Sequence, residues 1–169
     1  KDDYWLYSAR VGAELMLRTG QHTLALALYE AVVAAKDLPW AKLGIARAVM
    51  EAGQLGKARK ALETLVKEDP GYAEASDALA TIQFEQGQYS DALGMCRRVR
   101  DLTPACIGRN QSFGMMSYYV GDHKEAETTL TKTVRLGLDS KVFDAQSLVV
   151  LALCHVESGD TKGLPRCQI

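Results

Sequence analysis

The sequence contains few of the residues that characterise several large classes of protein. Its 169 residues include only 4 cysteines and 4 prolines, and aromatic residues make up 7%. The cysteines, Cys96, Cys106, Cys154 and Cys167, form no C-x-x-C pair and no regular framework. This usage is typical of a reducing compartment and does not indicate a zinc site or disulfide scaffold. We therefore expect a cytoplasmic protein with no cofactor.

An excess of charge of one sign and long apolar runs are also missing. Lysine and arginine total 20, aspartate and glutamate 21, and the formal net charge is −1. Such a balance lacks the electrostatic footprint of a protein that binds nucleic acid or an anionic membrane. No run of about 18 apolar residues is present to cross a bilayer. We expect neither partner, and the opening at Lys1 without methionine leads us to expect a piece of a longer protein.

The sequence does contain an internal repeat. The glycines at 20, 53, 87 and 121 are 33, 34 and 34 residues apart. A small residue stands seven positions before each glycine and alanine stands five after it: Ala13, Ala46, Ala80 and Gly114, then Ala25, Ala58, Ala92 and Ala126. If each glycine turns the chain between two helices, these small residues allow the helix backbones to approach closely. Pro70 and Pro104 predict the ends of second helices.

This pattern resembles the tetratricopeptide repeat, most clearly in AEASDALATIQFEQGQYSDALGMCRRVRDLTPAC, residues 73–106. The resemblance implies an all-α fold, an α-solenoid of antiparallel helix pairs wound into a right-handed superhelix. The predicted repeats are 6–38, 39–72, 73–106 and 107–140. A partial fifth unit is predicted at 145–169, with its first helix around 145–158. The longer connection before it places four extra residues near GLDSKVFD.

The histidines do not predict a catalytic site. His22 and His123 fall in a turn column that elsewhere holds leucine or tyrosine, so we interpret them as packing residues rather than general bases. Cys154 and His155 are adjacent on one predicted helix, so their side chains diverge and a shared metal is not expected. We predict that the chain is not an enzyme, and enzyme activity is the least favoured of three alternatives.

Two further features are interpreted as structural. Cys96 falls in a core column and should behave as a small buried apolar residue. The run RRVR, Arg97 to Arg100, should form the solvated side of a second helix rather than a nucleic-acid patch.

The family's geometry implies a binding surface on the inner face of the first helices, at positions 13, 10, 6 and 3 before each glycine. The predicted partner-binding residues of this concave groove are Tyr7, Arg10, Trp40, Leu43, Arg47, Met50, Phe84, Met115 and Tyr118. Exposed apolar, aromatic and arginine side chains are typical of partner surfaces, so we predict a protein or peptide partner. For Met50 and Phe84, packing between units is an equally good interpretation. Glu14 and Gly44 stand where one subclass has a carboxylate-binding asparagine, which disfavours chaperone-tail peptides.

Three longer segments, DYWLYSARVGAELMLRTG, LPWAKLGIARA and FDAQSLVVLAL, resemble the repeat region of certain bacterial response regulators. That resemblance implies an upstream receiver domain in the same chain and a role as the output module of a two-component system. Self-association is the alternative that the sequence leaves open. It would use the terminal helices, where we expect Leu148, Val149 and Leu151 to be exposed and to pair with another copy.

Overall fold

The computed structural model describes residues 3–139 and 145–159, and these residues are almost entirely helical. The helices are α1 (Asp3–Arg18), α2 (His22–Ala35), α3 (Pro39–Glu51), α4 (Leu55–Glu68), α5 (Ala73–Glu85), α6 (Tyr89–Leu102), α7 (Ile107–Tyr119), α8 (His123–Asp139) and α9 (Ala145–Ser158). No strand occurs in the two described ranges. The prediction of an all-α fold is confirmed.

The chain divides into two compact units, Lys1–Ile82 and Gln83–Ile169, and the division falls inside α5. In the first unit, α1 packs against α2 and α3, α2 against α3, and α3 against α4. In the second unit, α6 packs against α7, α7 against α8 and α9, and α8 against α9. Helices that follow one another in these sets are joined by short connections, which makes each pair antiparallel.

A glycine with left-handed backbone geometry follows each of the helices α1, α3, α5, α7 and α9. The φ angles of Gly20, Gly53, Gly87, Gly121 and Gly159 lie between 71° and 85°, a region that residues with a Cβ rarely adopt. After α1, the Gly20 N–H donates to the Leu17 carbonyl at 3.1 Å and the Gln21 N–H to the Met16 carbonyl at 2.8 Å. This pair of bonds is the Schellman motif, and it recurs at the next three glycines. The turn role expected for the glycines is confirmed.

Small residues line the contacts between helices. The seven alanines of the two repeating columns are all buried: Ala13, Ala25, Ala46, Ala58, Ala80, Ala92 and Ala126. The eighth member is Gly114, where an added Cβ would lie 2.7 Å from Leu130 Cδ2. At this point of α7 the neighbouring side chain occupies the space that even a methyl group would need.

The cores of the two units are separate sets of apolar side chains. In the first unit, Tyr29 and Val32 share a core with four buried alanines, Ala9, Ala13, Ala25 and Ala41. In the second unit, Ala126 and Leu130 of α8 pack with Val150, Leu151 and Cys154 of α9. The expectation that Leu151 is exposed is therefore wrong, because α9 packs against both α7 and α8 and turns this residue inward. Leu148 is half-buried, whereas Val149 is exposed.

The arginines of RRVR are not simply solvated. The Arg100 guanidinium carbon lies 3.9 Å from the centroid of the buried Phe113 ring, and that of Arg97 lies 5.9 Å from it. Arg100 also reaches Glu125 at 3.5 Å. A cation over an aromatic face is attracted by the ring's quadrupole, so these residues join α6 to α7 and α8. Cys96 is buried, as expected.

The connection before α9 differs in detail from the regular spacing. Helix α8 has 17 residues, against 14 in α2, α4 and α6, so it contains part of the insertion near GLDSKVFD. Residues 140–144 and 160–169 lie outside the described residues, and with them the rest of the predicted fifth unit. Helix α1 begins at Asp3, ahead of the predicted repeat boundary at residue 6.

We predict that Gly114→Ala is less stable than Gly94→Ala by about 1–3 kcal/mol. Both glycines lie inside helices, where alanine gains about 1 kcal/mol of helix propensity. At Gly114 the new methyl carbon meets Leu130, and overpacking of this kind costs about 1–3 kcal/mol. At Gly94 no described atom lies within 4 Å. Urea unfolding followed by circular dichroism measures the difference, and equal stabilities would contradict the close approach of α7 and α8.

Candidate interaction site

A cleft of about 380 Å³ opens on the first unit. Its walls come from α1, α2 and α3 and from the chain around the start of α5: Arg10, Glu14, Tyr29, Pro39, Trp40, Leu43, Gly44, Arg47, Asp69, Tyr72 and Glu74. The lining combines three aromatic rings with two arginines and three carboxylates. An aromatic surface with convergent polar groups is the usual composition of a recognition site.

Trp40 is the largest side chain of the cleft, and its position is fixed by the start of α3. Pro39 occupies the first helical position after Leu38, where its missing N–H costs no hydrogen bond. The Trp40 ring meets the Tyr29 ring edge to face, with centroids 6.2 Å apart and planes at 69°. The Arg10 guanidinium carbon lies 5.5 Å from the Trp40 centroid. The indole thus contacts α1 and α2 and is half-buried.

Gly44 makes room for the tyrosine that forms the wall of the cleft. A Cβ at Gly44 would overlap the ring of Tyr29. Glycine inside a helix costs about 1 kcal/mol relative to alanine, and here it allows the Tyr29 ring to lie against the backbone of α3. In the sequence, Gly44 counted only as a missing clamp residue; the packing gives it a structural role in the cleft.

The tyrosine hydroxyls of the cleft are protonated at neutral pH. Burial raises the pKa of Tyr29 above its ordinary value near 10, Glu14 adds to the rise, and Arg47 and Arg10 oppose it. Burial likewise raises the pKa of Tyr72, Glu74 adds to the rise, and the same two arginines oppose it. Both hydroxyls are therefore available to donate hydrogen bonds to a bound group.

The two arginines of the cleft differ in their partners. Arg10 pairs with Glu14 one helical turn along α1, at 3.7 Å. Arg47 is exposed and makes no hydrogen bond or ion pair with the described part of the chain. The cleft therefore presents a cation that is free to bind an acceptor, together with the half-buried Trp40 ring.

The predicted groove residues of the first unit are only partly brought together. Arg10, Trp40, Leu43 and Arg47 all line the cleft. Leu43 is nevertheless buried, because α3 packs between α2 and α4, so it supports the cleft from within rather than offering an exposed contact. Tyr7 and Met50 do not line the cleft: Tyr7 is largely exposed on α1 and Met50 is half-buried near the end of α3.

In the second unit, Phe84 belongs to an aromatic cluster. Its ring lies 5.4 Å from that of Tyr89 and 5.0 Å from that of Tyr119, measured between centroids. Tyr89 and Tyr119 stack at 5.4 Å with planes 20° apart. These rings join the end of α5 to the start of α6 and the end of α7, which is a packing role between consecutive helices.

Met115 and Tyr118 contact the core formed by α8 and α9. The Tyr118 hydroxyl donates to Glu157 Oε1 at 2.9 Å, and this hydrogen bond is the main cause of its raised pKa. Glu157 Oε2 lies 3.0 Å from Nδ1 of His123, whose ring packs edge to face with Tyr118 at 5.3 Å. Tyr118 and His123 thus connect α7 and α8 to α9. His123 packs against Tyr118 and faces Glu157, which agrees with its interpretation as a packing residue.

The search for metal-binding groups gives no candidate within residues 3–139 and 145–159. His155 is buried, and its Nδ1 lies 3.6 Å from Glu127 Oε1 of α8. Cys96, Cys106 and Cys154 are free thiols, two buried and one exposed. In the same residues no helix has the length and apolarity needed to cross a membrane.

Sequence reasoning missed two groups of residues with exposed or recognition-like surfaces. Tyr29 and Tyr72 line the cleft, although their positions lie outside the four groove columns. On α9, the positions 10, 6 and 3 before Gly159 hold Val149, Leu153 and Val156, all exposed, and of these only Val149 was named from the sequence. The positions counted from the first four glycines, applied to Gly159, would have found the residues of α9.

The fold and its helix pairing define an all-α protein of the α-solenoid class, built from antiparallel helix pairs. The sequence profile of the tetratricopeptide repeat matches residues 16–82 and 51–107, which together span more than half of the chain. The chain belongs to the tetratricopeptide repeat family. No curated protein matches it in sequence.

Solved structures with the same fold cover nearly the whole chain. MamA (41-end) from Desulfovibrio magneticus RS-1 is 20% identical, with a TM-score of 0.77, covering 96% of this chain and 89% of its own. A putative kinesin light chain with TPR-like repeats from Podosopora anserina is 22% identical, with a TM-score of 0.72 and coverages of 96% and 90%. A thermophilic TPR protein from Thermus thermophilus is 18% identical, with a TM-score of 0.67 and coverages of 91% and 83%. At these identities the likeness concerns the fold alone.

We predict that Gly44→Ala displaces Tyr29 and lowers its pKa toward 10. Because the folded-state pKa of Tyr29 is raised, its contribution to the free energy of unfolding is complete below about pH 10. That contribution is lost as the pH rises through the folded-state pKa. Titration of tyrosinate absorbance should therefore show one tyrosine ionising earlier in the variant, and stability should fall less in that alkaline range.

The control for this titration is Gly56→Ala on α4, where no described atom lies within 4 Å of an added Cβ. It should titrate like the parent chain. A Gly44→Ala variant with an unchanged titration curve would show that the ring does not depend on this glycine.

Proposed function

We propose that the chain is a non-catalytic protein-interaction scaffold that holds a segment of a partner protein in the cleft of its first unit. The observation that carries this proposal is the half-buried Trp40 ring, in contact with Tyr29 and Arg10, together with the unpaired Arg47 in the same cleft. Tryptophan, tyrosine and arginine dominate the binding energy of protein interfaces. Membership of the tetratricopeptide repeat family supports an interaction role.

In the proposed complex, different residues of the cleft contact different chemical groups of the partner. An apolar side chain of the partner packs against Trp40 and removes its exposed face from water. Arg47 binds a carbonyl or carboxylate oxygen of the partner, and the Tyr29 and Tyr72 hydroxyls donate to further acceptors. The cleft is largely formed before binding, because Trp40 is held by its neighbours on α1 and α2, so little ordering cost opposes the association.

The proposal extends to the organisation of the chain and to the groove residues of the second unit. We assign the pairs α1–α2, α3–α4, α5–α6 and α7–α8 to repeats at 6–38, 39–72, 73–106 and 107–140, with α9 opening a partial fifth at 145–169. Phe84, Met115 and Tyr118 are proposed as partner-binding residues of the second unit, in addition to their packing roles. The proposed location is the cytoplasm, on the basis of cysteine usage.

A displayed library of random peptides tests the cleft. Peptides selected on the chain should bind Trp40→Ala and Arg47→Gln at least about tenfold more weakly, since truncating a central hot-spot residue costs about 2 kcal/mol or more. Lys57→Gln changes an exposed basic residue that does not line the cleft, and it should bind like the parent chain.

In a Trp5→Phe background, Trp40 is the remaining tryptophan, so its fluorescence reports binding directly. The circular dichroism of each variant should match that of the parent chain. If Trp40→Ala retains both the helical spectrum and full affinity for the selected peptides, the cleft is not the binding site.

A second proposal concerns context: the chain would be the output module of a two-component response regulator. It rests on the three sequence segments that resemble such regulators, and the family match and the similar structures add nothing to it. In that role the cleft, or the surface around it, would transmit the state of an upstream receiver domain by contact. The complete reading frame decides the matter, and a frame without a receiver domain upstream removes this proposal while leaving the scaffold role intact.

A further inference from the structure

The first helices α3, α5, α7 and α9 share a buried column that α1 leaves exposed. The residue five positions before the turn glycine is buried in all four of these helices: Ala48, Ile82, Met116 and Cys154. Nine positions before the glycine, Gly44, Ala78 and Val150 are also buried, whereas Ser112 of α7 is exposed. Helices α3, α7 and α9 each pack against the preceding helices of their own unit. This side of a first helix is therefore a helix-packing surface.

On α1 the corresponding residues are apolar and uncovered. Leu15, five positions before Gly20, is 59% exposed, and Val11, nine positions before it, is 49% exposed. One and two turns toward the start of the helix, Tyr7 and Tyr4 are 69% and 84% exposed. The exposed area of these four residues is on the order of 500 Å², comparable with the largest apolar patch on a typical monomer. Since α1 buries its opposite side, with Ala9 and Ala13, this face has no function in the core of the first unit.

We infer that a second copy of this chain packs its own α1 against this face, antiparallel and related by a twofold axis close to Val11. This interface is distinct from the cleft proposed for the partner segment. Helices pack by placing the side chains of one between those of the other at an axial separation of about 8–10 Å, and the exposed column has the composition that such packing requires.

The spacing of the exposed residues makes the face complementary to itself. Tyr7 and Leu15 lie four residues on either side of Val11, and Tyr4 and Arg18 lie seven on either side. In an antiparallel pair, each Leu15 therefore meets the Tyr7 ring of the other copy, and each exposed Arg18 reaches the Tyr4 ring. Aromatic–aliphatic and cation–π contacts form twice, as an isologous interface requires.

Two further observations are compatible with a dimer of this chain. The chain's net charge is −1, so two copies repel each other very little. The patch also amounts to more than half of the roughly 800 Å² that each partner buries in a standard interface. The twofold arrangement is closed, so it yields a dimer rather than an open filament.

Sedimentation equilibrium of the chain at concentrations up to roughly 300 µM tests this inference, since small interfaces have micromolar dissociation constants. We expect the average mass to rise toward twice that of the single chain. Val11→Glu places a charge on the twofold axis and should keep the mass at that of one chain, with an unchanged circular dichroism spectrum.

Val149→Glu is the matched control, because Val149 is 60% exposed on α9 and lies outside the proposed interface. It should dimerise like the parent chain. Loss of the dimer in Val149→Glu but not in Val11→Glu would place self-association at the terminal helix α9 instead and would overturn the inference. A parent chain that remains at the mass of one chain over the whole range also overturns it.

Covalent trapping gives a second, independent readout. Val11→Cys should form a disulfide-linked dimer under mild oxidation, because the two copies of residue 11 face each other across the axis. The parent chain under the same conditions controls for the native thiols, including the exposed Cys106. No dimer beyond that of the parent chain would contradict a twofold axis at Val11.

Discussion

The close approach of paired helices is the constraint on which the structure depends. Alanine or glycine seven positions before each turn glycine, and alanine five positions after it, removes the side chains that would hold the backbones apart. At Gly114 even a methyl group would not fit, because the Leu130 side chain already occupies its place. Larger apolar residues around these contacts then fill the cores, as Leu62, Ile82 and Val99 do. A solenoid has no central core, so its stability comes from such repeated local contacts.

The same device shapes the candidate site. Gly44 lies on the side of α3 that faces α2, and its missing side chain lets the Tyr29 ring occupy the space between the helices. The ring then supports Trp40, and its hydroxyl lies among the charges of the cleft. Gly44 thus permits helix packing and also shapes the wall of the candidate cleft.

Polar contacts between helices supplement the apolar ones at the edges of the cores. In the second unit, His123 of α8 faces Glu157 of α9 and His155 of α9 faces Glu127 of α8, so the same two helices are joined twice in opposite sense. In the first unit, Lys42 of α3 reaches Asp37, just before that helix, at 2.9 Å and Glu68 of α4 at 2.8 Å. The pairs of His123 and Lys42 are partly exposed and add little stability individually.

The sequence by itself determined the helices, their pairing and the turns between them, because each depends on short-range spacing. A left-handed glycine, a small residue at a fixed distance and an apolar column are all local features that recur every 33 or 34 residues. The same counting placed Arg10, Trp40 and Arg47 in one cleft, since residues a few turns apart on neighbouring first helices have a fixed geometry.

Only the tertiary structure decided which of these side chains are exposed and what they contact. Leu43 and Leu151 have the sequence pattern of surface residues, yet both are buried, because exposure depends on helices distant in sequence that pack over them. Tyr72 enters the cleft from a loop, and Arg100 lies over Phe113, through contacts that no periodicity encodes. The exposed face of α1 has the same explanation. A repeating column of apolar residues predicts a helix-packing surface, but only the tertiary structure shows whether another helix covers it.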